Sequence, residues 1–201
     1  DVNKIHFILE KEANTKKILD FIFKCTKKYM NKSEDNLNLK KINTYDEWDN
    51  KETVLIKRLL QTHLPLRIRN KIINKLFSII IDESEADFSR KLYMNKNNLI
   101  EMYKNKMTIG SHGVNHYWWK DLNYNMQLNE IEGSIKYFKK NKIYNNNFSV
   151  CYPYGSYNRD SLKILKKLGI KFALTTKIGT INKKNIIKNF EYPRLDTNEF
   201  K

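Results

Sequence analysis

The chain has 201 residues, 40% hydrophobic and 12% aromatic, which suffices for one sizeable buried core and argues against wholesale disorder. Its formal net charge of +16 would draw it to anionic partners, but lysine doublets spread from 16–17 to 183–184 read as solvated helix faces rather than one nucleic-acid-binding stripe. No apolar run approaches the roughly 20 residues of a membrane-spanning helix, and Cys25 and Cys151 stand too far apart for metal-type spacing.

Ile5–Leu9 reads as the end of a strand or a further turn of helix. From Asn14 to Met30, Ile18, Leu19, Ile22, Phe23 and Tyr29 recur at helical spacing, and Asn14 or Thr15 is placed to cap the start. Residues 31–50 are polar and read as a loop. Val54 to Leu60 predicts a helix broken near Pro65, and Arg67 to Ile81 predicts another, with Ile68, Ile72, Ile73, Leu76, Phe77 and Ile80 on one side. A turn through Asp82–Asp87 is expected next, then a short helix over Asn97 to Lys104.

From Met107 strands and helices alternate. Met107–Gly110 is expected as a short strand, Gln127–Lys140 as a helix, Phe148–Tyr152 as a second strand, Arg159–Leu168 as a helix stopped by Gly169, and Lys171–Thr176 as a third strand. Such alternation implies parallel strands joined by crossovers, hence a barrel or an open α/β sheet.

Three short constellations could carry chemistry. Ser111-His112-Gly113-Val114-Asn115-His116 puts two imidazoles four residues apart, a spacing that turns both rings to one side in a helix or tight turn. Two neutral ring nitrogens can then share a cation. The alternative is a pair of unrelated histidines. Tyr117, Trp118 and Trp119 follow directly and could stack on sugar rings or fill the core. Cys151-Tyr152-Pro153-Tyr154-Gly155 predicts a shaped turn at a strand end, able to aim a backbone N–H into a site or to serve as a plain connection. In Pro193-Arg194-Leu195-Asp196, alternation along a strand would place Arg194 and Asp196 on one side.

In order and spacing these segments resemble the polysaccharide deacetylases, carbohydrate esterase family 4. Met107 to His116 resembles the family's strand ending in Ile-Gly-Ser-His with a second histidine four residues on. Glu130-Ile131-Glu132-Gly133-Ser134 resembles the helix after it, and Tyr152-Pro153-Tyr154-Gly155 with Leu165 to Thr176 resembles its third motif and sequel. The likeness runs from Leu92 to Asp196. It implies an α/β fold, an incomplete or distorted (β/α) barrel, as a single domain over 1–201 with 34–90 as a helical insertion. It further implies a divalent metal, zinc by family habit, held by His112 and His116. Tyr154 would contribute its backbone N–H to an oxyanion hole, with Tyr117, Trp118, Pro153 and Tyr154 at the substrate. The implied reaction is removal of an acetyl group from an N-acetylated sugar of a cell-surface polysaccharide or its precursor.

The sequence departs from the family in three places. The paired aspartates of its first motif occur nowhere in the chain, and are expected upstream of Asp1. Cys151 stands where many members have arginine, a role for which Arg194 is the candidate. No histidine follows His116, so the family's late motif that supplies its general acid is missing; Asp196 or an external group is expected in that role, unless that motif lies downstream of Lys201. The expected setting is a bacterial cytoplasm, with a glycan or sugar precursor as partner, no specific nucleic acid, no membrane span, and a homo-oligomer as one option. A catalytically inactive glycan-binding domain of the same fold is the alternative.

Overall fold

A computed structural model of the chain describes residues 2–31, 37–42, 45, 48–145, 147–182 and 189–200. It divides into two compact units, Asp1–Tyr93 and Met94–Lys201.

The first unit is helical. The ambiguous run around Ile5–Leu9 is helix α1 (Val2–Lys11), which buries Ile5 and Ile8. Helix α2 (Thr15–Met30) starts where its cap dictates: the Asn14 side chain accepts a hydrogen bond from the Lys17 N–H at 3.1 Å. It ends on Asn31, whose φ of 53° is the left-handed conformation that asparagine tolerates. Helix α3 (Lys51–Arg58) is capped by Asn50 and runs into a π-helical turn over Leu59–His63. Pro65 then opens helix α4 (Leu66–Ile80), which buries Ile72, Ile73, Leu76 and Phe77. These helices share one apolar core built largely from isoleucine and leucine, among them Ile8, Ile18, Ile22, Ile56, Leu59 and Ile72. Residues 51–80 thus pack on the helices that precede them in the chain. Much of the expected loop over 31–50 lies outside the described residues; Leu39–Lys41 within it is a 3-10 turn.

One expectation fails here. Asp82–Asp87 is not simply a turn, because helix α5 (Glu85–Leu92) begins inside it, with the Ser84 side chain accepting from the Asp87 N–H at 3.1 Å. The helix buries no residue fully, so its apolar pattern is faint. Its anchor is Phe88, which meets Phe7 and Phe77 edge to face at 4.7 and 5.5 Å between ring centroids.

The second unit is α/β. Helix α6 (Lys96–Lys104) leads into an extended segment, followed by helix α7 (Tyr124–Lys140), strand β1 (Ser149–Cys151), helix α8 (Arg159–Lys167), strand β2 (Phe172–Ile178) and strand β3 (Tyr192–Arg194). The sheet is three-stranded, in the order β1-β2-β3. Both pairs are parallel, with Cys151 opposite Leu174 and Leu174 opposite Tyr192. Among the described residues these strands do not close into a barrel. Helix α7 starts three residues before the expected Gln127 because Asn123 caps it, its side chain accepting from the Met126 N–H at 3.0 Å. Gly169, at φ 68°, follows α8 as its left-handed stop.

The strand expected over Met107–Gly110 does not form. Only Ser111 pairs, through a single parallel bridge to Val150: its N–H donates to Ser149 O and its carbonyl accepts from the Cys151 N–H, both at 2.9 Å. β1 begins at Ser149, so the residues before Ser111 find no ladder beside them among the described residues. That bridge nevertheless sets the segment after Ser111 alongside the carboxyl end of β1, where parallel α/β sheets place their working loops.

Candidate active site

Two loops meet at this end of the sheet: residues 112–120, after the Ser111 bridge, and residues 152–158, between β1 and α8. Sequence dictates the shape of the second. Pro153 opens a 3-10 turn, Tyr154 is held at φ 57° and Gly155 at φ 64°, so two successive residues are left-handed. A side chain at Gly155 would collide with the Thr176 hydroxyl on β2, so lack of a Cβ matters there for both reasons. In the first loop Gly113 (φ 80°) and His116 (φ 58°) are left-handed as well.

This backbone brings the two histidines together. Their ring centroids lie 4.6 Å apart in an edge-to-face arrangement, and His116 meets the Tyr154 ring at 4.7 Å. His112 Nδ1 is 2.8 Å from the carbonyl oxygen of Cys151. A carbonyl can only accept, so Nδ1 donates, which in a neutral imidazole leaves the lone pair on Nε2, the tautomer found in histidines that bind metals. The pair therefore fits two nitrogen ligands of one divalent ion. No group of three or more His, Cys, Asp or Glu side chains suited to a metal assembles among the described residues.

Aromatic residues line the same place. Trp118 stacks on Tyr154 with centroids 4.7 Å apart and planes 19° from parallel, and Lys120 Nζ lies 5.2 Å from the Trp118 ring centroid. Tyr117 and Trp118 are half-buried, whereas Trp119 is fully buried and meets Tyr152 edge to face. The tryptophan pair thus divides between the two roles open to it: Trp119 fills the core, and Trp118 stacks on the tyrosine of the neighbouring loop. Pro153, in the same turn as Tyr154, is buried.

The remaining candidates sit further along. Arg194 ends β3, is exposed, and bears electrostatically on Cys151: burial pushes that thiol up, and the Arg194 guanidinium works against the shift. β3 stops at Arg194, so Asp196 does not continue its alternation. Asp196 instead opens a 3-10 turn over Thr197–Glu199, its carbonyl accepting from the Glu199 N–H at 3.0 Å. Both described cysteines are free thiols.

Glu130, Ser134 and Asn115 stand in the segments singled out in the sequence, but local pattern assigns them no role in the site. Glu130 is buried, and its carboxylate accepts hydrogen bonds from the Val114 and Asn115 N–H groups and from the Asn115 side chain. Ser134 shares a hydrogen bond with Ser111 at 2.6 Å. A signal was present: Gln127, Glu130, Ile131 and Ser134 fall on one face of α7, so polar residues interrupt its apolar stripe.

Comparison with known proteins follows the same segment. The sequence model of the Polysaccharide deacetylase family matches residues 79–173, which include both histidines and the Tyr152–Gly155 turn but not Arg194 or Asp196. YxkH of Bacillus subtilis (strain 168), provisionally named a polysaccharide deacetylase, is 28% identical over 93 residues, 46% of this chain and 33% of its own length. The chain thus spans about a third of that relative. The Streptococcus pyogenes deacetylase PplD, solved in complex with acetate, is 28% identical with a TM-score of 0.43, covering 48% of this chain and 43% of its own. No described helix is long and apolar enough to cross a membrane. The chain thus resembles the polysaccharide deacetylase family over just under half of its length, a stretch that includes the loops holding His112, His116 and Tyr154.

Proposed function

We propose that the two loops form part of a metal-dependent site that removes the acetyl group from an N-acetylated sugar of a cell-surface polysaccharide or its precursor. The carrying observation is the convergence of His112, His116 and Tyr154, with His112 fixed in the metal-binding tautomer by the Cys151 carbonyl. His112 and His116 would hold the ion, taken as zinc. When bound, such an ion polarises an acyl oxygen and makes a bound water acidic enough to attack near neutral pH. Tyr154, left-handed between Pro153 and Gly155, is suited to present its backbone N–H to the acyl oxygen. The Trp118–Tyr154 stack offers an apolar face for a sugar ring, with Tyr117 beside it in sequence. Arg194 and Asp196 would lie at the edge of the site, the former near Cys151, the latter as a proton donor. The small parallel sheet is read as part of a distorted (β/α) barrel, acting in the cytoplasm.

The test uses the full-length protein. Zinc titration should give one ion per protomer, lost in His112→Ala, and acetate release from N-acetylated oligosaccharides should require that ion. A protein that binds no zinc and liberates no acetate would falsify the proposal. Saccharide binding that survives chelation, without acetate release, would instead point to a glycan-binding role.

A further inference from the structure

Resting on that reading of the histidine pair, we infer that Glu130 is its positioning residue, a buried carboxylate that sets the shape of the loop joining His112 to His116. Glu130 lies on α7 and is 4% exposed. Its Oε2 accepts from the Val114 N–H at 3.0 Å and the Asn115 N–H at 2.8 Å, and its Oε1 accepts from Asn115 Nδ2 at 2.5 Å. All three donors belong to the residues between the two histidines. One turn further along α7, Ser134 bonds Ser111 at 2.6 Å, and the Ser111 hydroxyl accepts from the Gly113 N–H at 3.1 Å. The successive N–H groups of Gly113, Val114 and Asn115 are therefore all taken by side chains, two of them by Glu130.

The physical need for such a clamp is visible in the backbone. Gly113 and His116 are both left-handed, and for histidine that conformation is held only when surrounding bonds over-determine it. Consecutive N–H groups turned inward form a positive concavity, which a carboxylate complements better than a neutral acceptor does. The fit is close on the loop side as well: a Cβ on Gly113 would come within 2.9 Å of Glu130 Oε2. Glu130 touches neither imidazole in these contacts. It acts through the loop, fixing where His116 stands relative to His112, whose own orientation is fixed from β1 by the Cys151 carbonyl.

The test compares wild type, Glu130→Ala and Glu130→Gln in the full chain. Two readouts are taken: zinc affinity by competition with a chromophoric chelator, and amide hydrogen exchange at Val114 and Asn115 in the metal-free protein. Glu130→Ala should weaken zinc about ten- to a hundred-fold, the range for outer partners of metal ligands, and should speed exchange at both amides. Glu130→Gln keeps a carbonyl oxygen able to take both N–H groups but gives up the charge, so it should fall between wild type and Glu130→Ala on both measures. Equal zinc affinity in wild type and Glu130→Ala would overturn the inference, as would a glutamine variant as impaired as the alanine one. If far-UV circular dichroism shows Glu130→Ala unfolded, Asn115→Ala takes its place. That variant removes only the Oε1 bond and should give a smaller loss in the same direction; no loss overturns the inference. If wild type binds no zinc, the metal reading fails by itself, and exchange at Val114 and Asn115 still decides whether Glu130 holds the loop.

Discussion

The two compact units treat polar groups differently. In Asp1–Tyr93, Thr26 is the one buried polar residue among those described, and its hydroxyl bonds locally to Phe23 O. In Met94–Lys201, Ser111, Gln127, Glu130, Ser134, Ser156, Ser161 and Thr175 are all buried, and most bond to residues distant in sequence. A helix satisfies its own backbone, so an apolar face is enough to assemble the first unit. The second must satisfy irregular loops that run beside a short sheet, and it does so with side chains of α7 and α8. Buried polar groups accordingly mark where backbone departs from regular structure, and here that is the candidate site.

The largest effects should come from the cores and be alike in both units. Trp119→Ala should cost about 3–5 kcal/mol and Ile72→Ala about 2–5 kcal/mol in urea denaturation, since each deletes a fully buried side chain. A much smaller loss at Trp119 would mean that the second unit relies on its hydrogen bonds rather than on its apolar core.

Buried polar residues should then separate the units. Gln127 donates to Leu122 O at 2.9 Å and accepts from the Ser161 hydroxyl at 2.6 Å, so Gln127→Leu strands both partners and should cost about 1–3 kcal/mol. Thr26→Val removes a local bond within one helix and should cost under about 1 kcal/mol. Equal losses in the two variants, measured by the same denaturation, would remove the contrast between the units.

A second difference is expected in alkali. Burial pushes the Tyr152 phenol far above its ordinary value, and burial with a hydrogen bond to Glu191 raises Tyr157. A phenol whose folded pKa is raised contributes stability that is fully present below the unfolded value, about 10, and is lost as pH rises through the folded one. The second unit should therefore weaken above about pH 10, and Tyr152→Phe should flatten that fall while costing about 1 kcal/mol at neutral pH for the bond to Phe190 O. Denaturation midpoints measured from pH 8 to 11 (the range is chosen to bracket the phenols) provide the check. The smallest effect belongs to a cap. Ser84→Ala should cost about 0.5–1 kcal/mol, with faster amide exchange confined to the first turn of α5.

Legibility followed the same division. The helices of the first unit could be read from periodicity because their burial is periodic, and Asn14 marked the start of α2 to within a residue. α5 escaped because Phe88 anchors it almost alone. In the second unit the strands over Ser149–Cys151 and Phe172–Ile178 were legible as short apolar runs. Met107–Gly110 looks like a strand in composition but pairs with no strand among the described residues, which no local pattern reveals. The histidine pair and the Pro-Tyr-Gly turn could be singled out by spacing and residue type. Glu130 gave only a weaker signal, as one of the polar residues interrupting the apolar stripe of α7, since a glutamate on a helix is ordinary until the helix is known to bury that face.

By itself, the sequence determined the helix faces, the parallel strand–helix alternation and the candidate residues His112, His116 and Tyr154, because each rests on chemistry local to a few residues. Only the tertiary structure decided which distant groups meet there. Cys151 O orients His112, Tyr154 stacks on Trp118 and lies against His116, and Glu130 closes around the loop between the histidines. Those contacts depend on the register of Ser111 against Val150 and on which face α7 turns inward, and both are settled by packing across the whole unit.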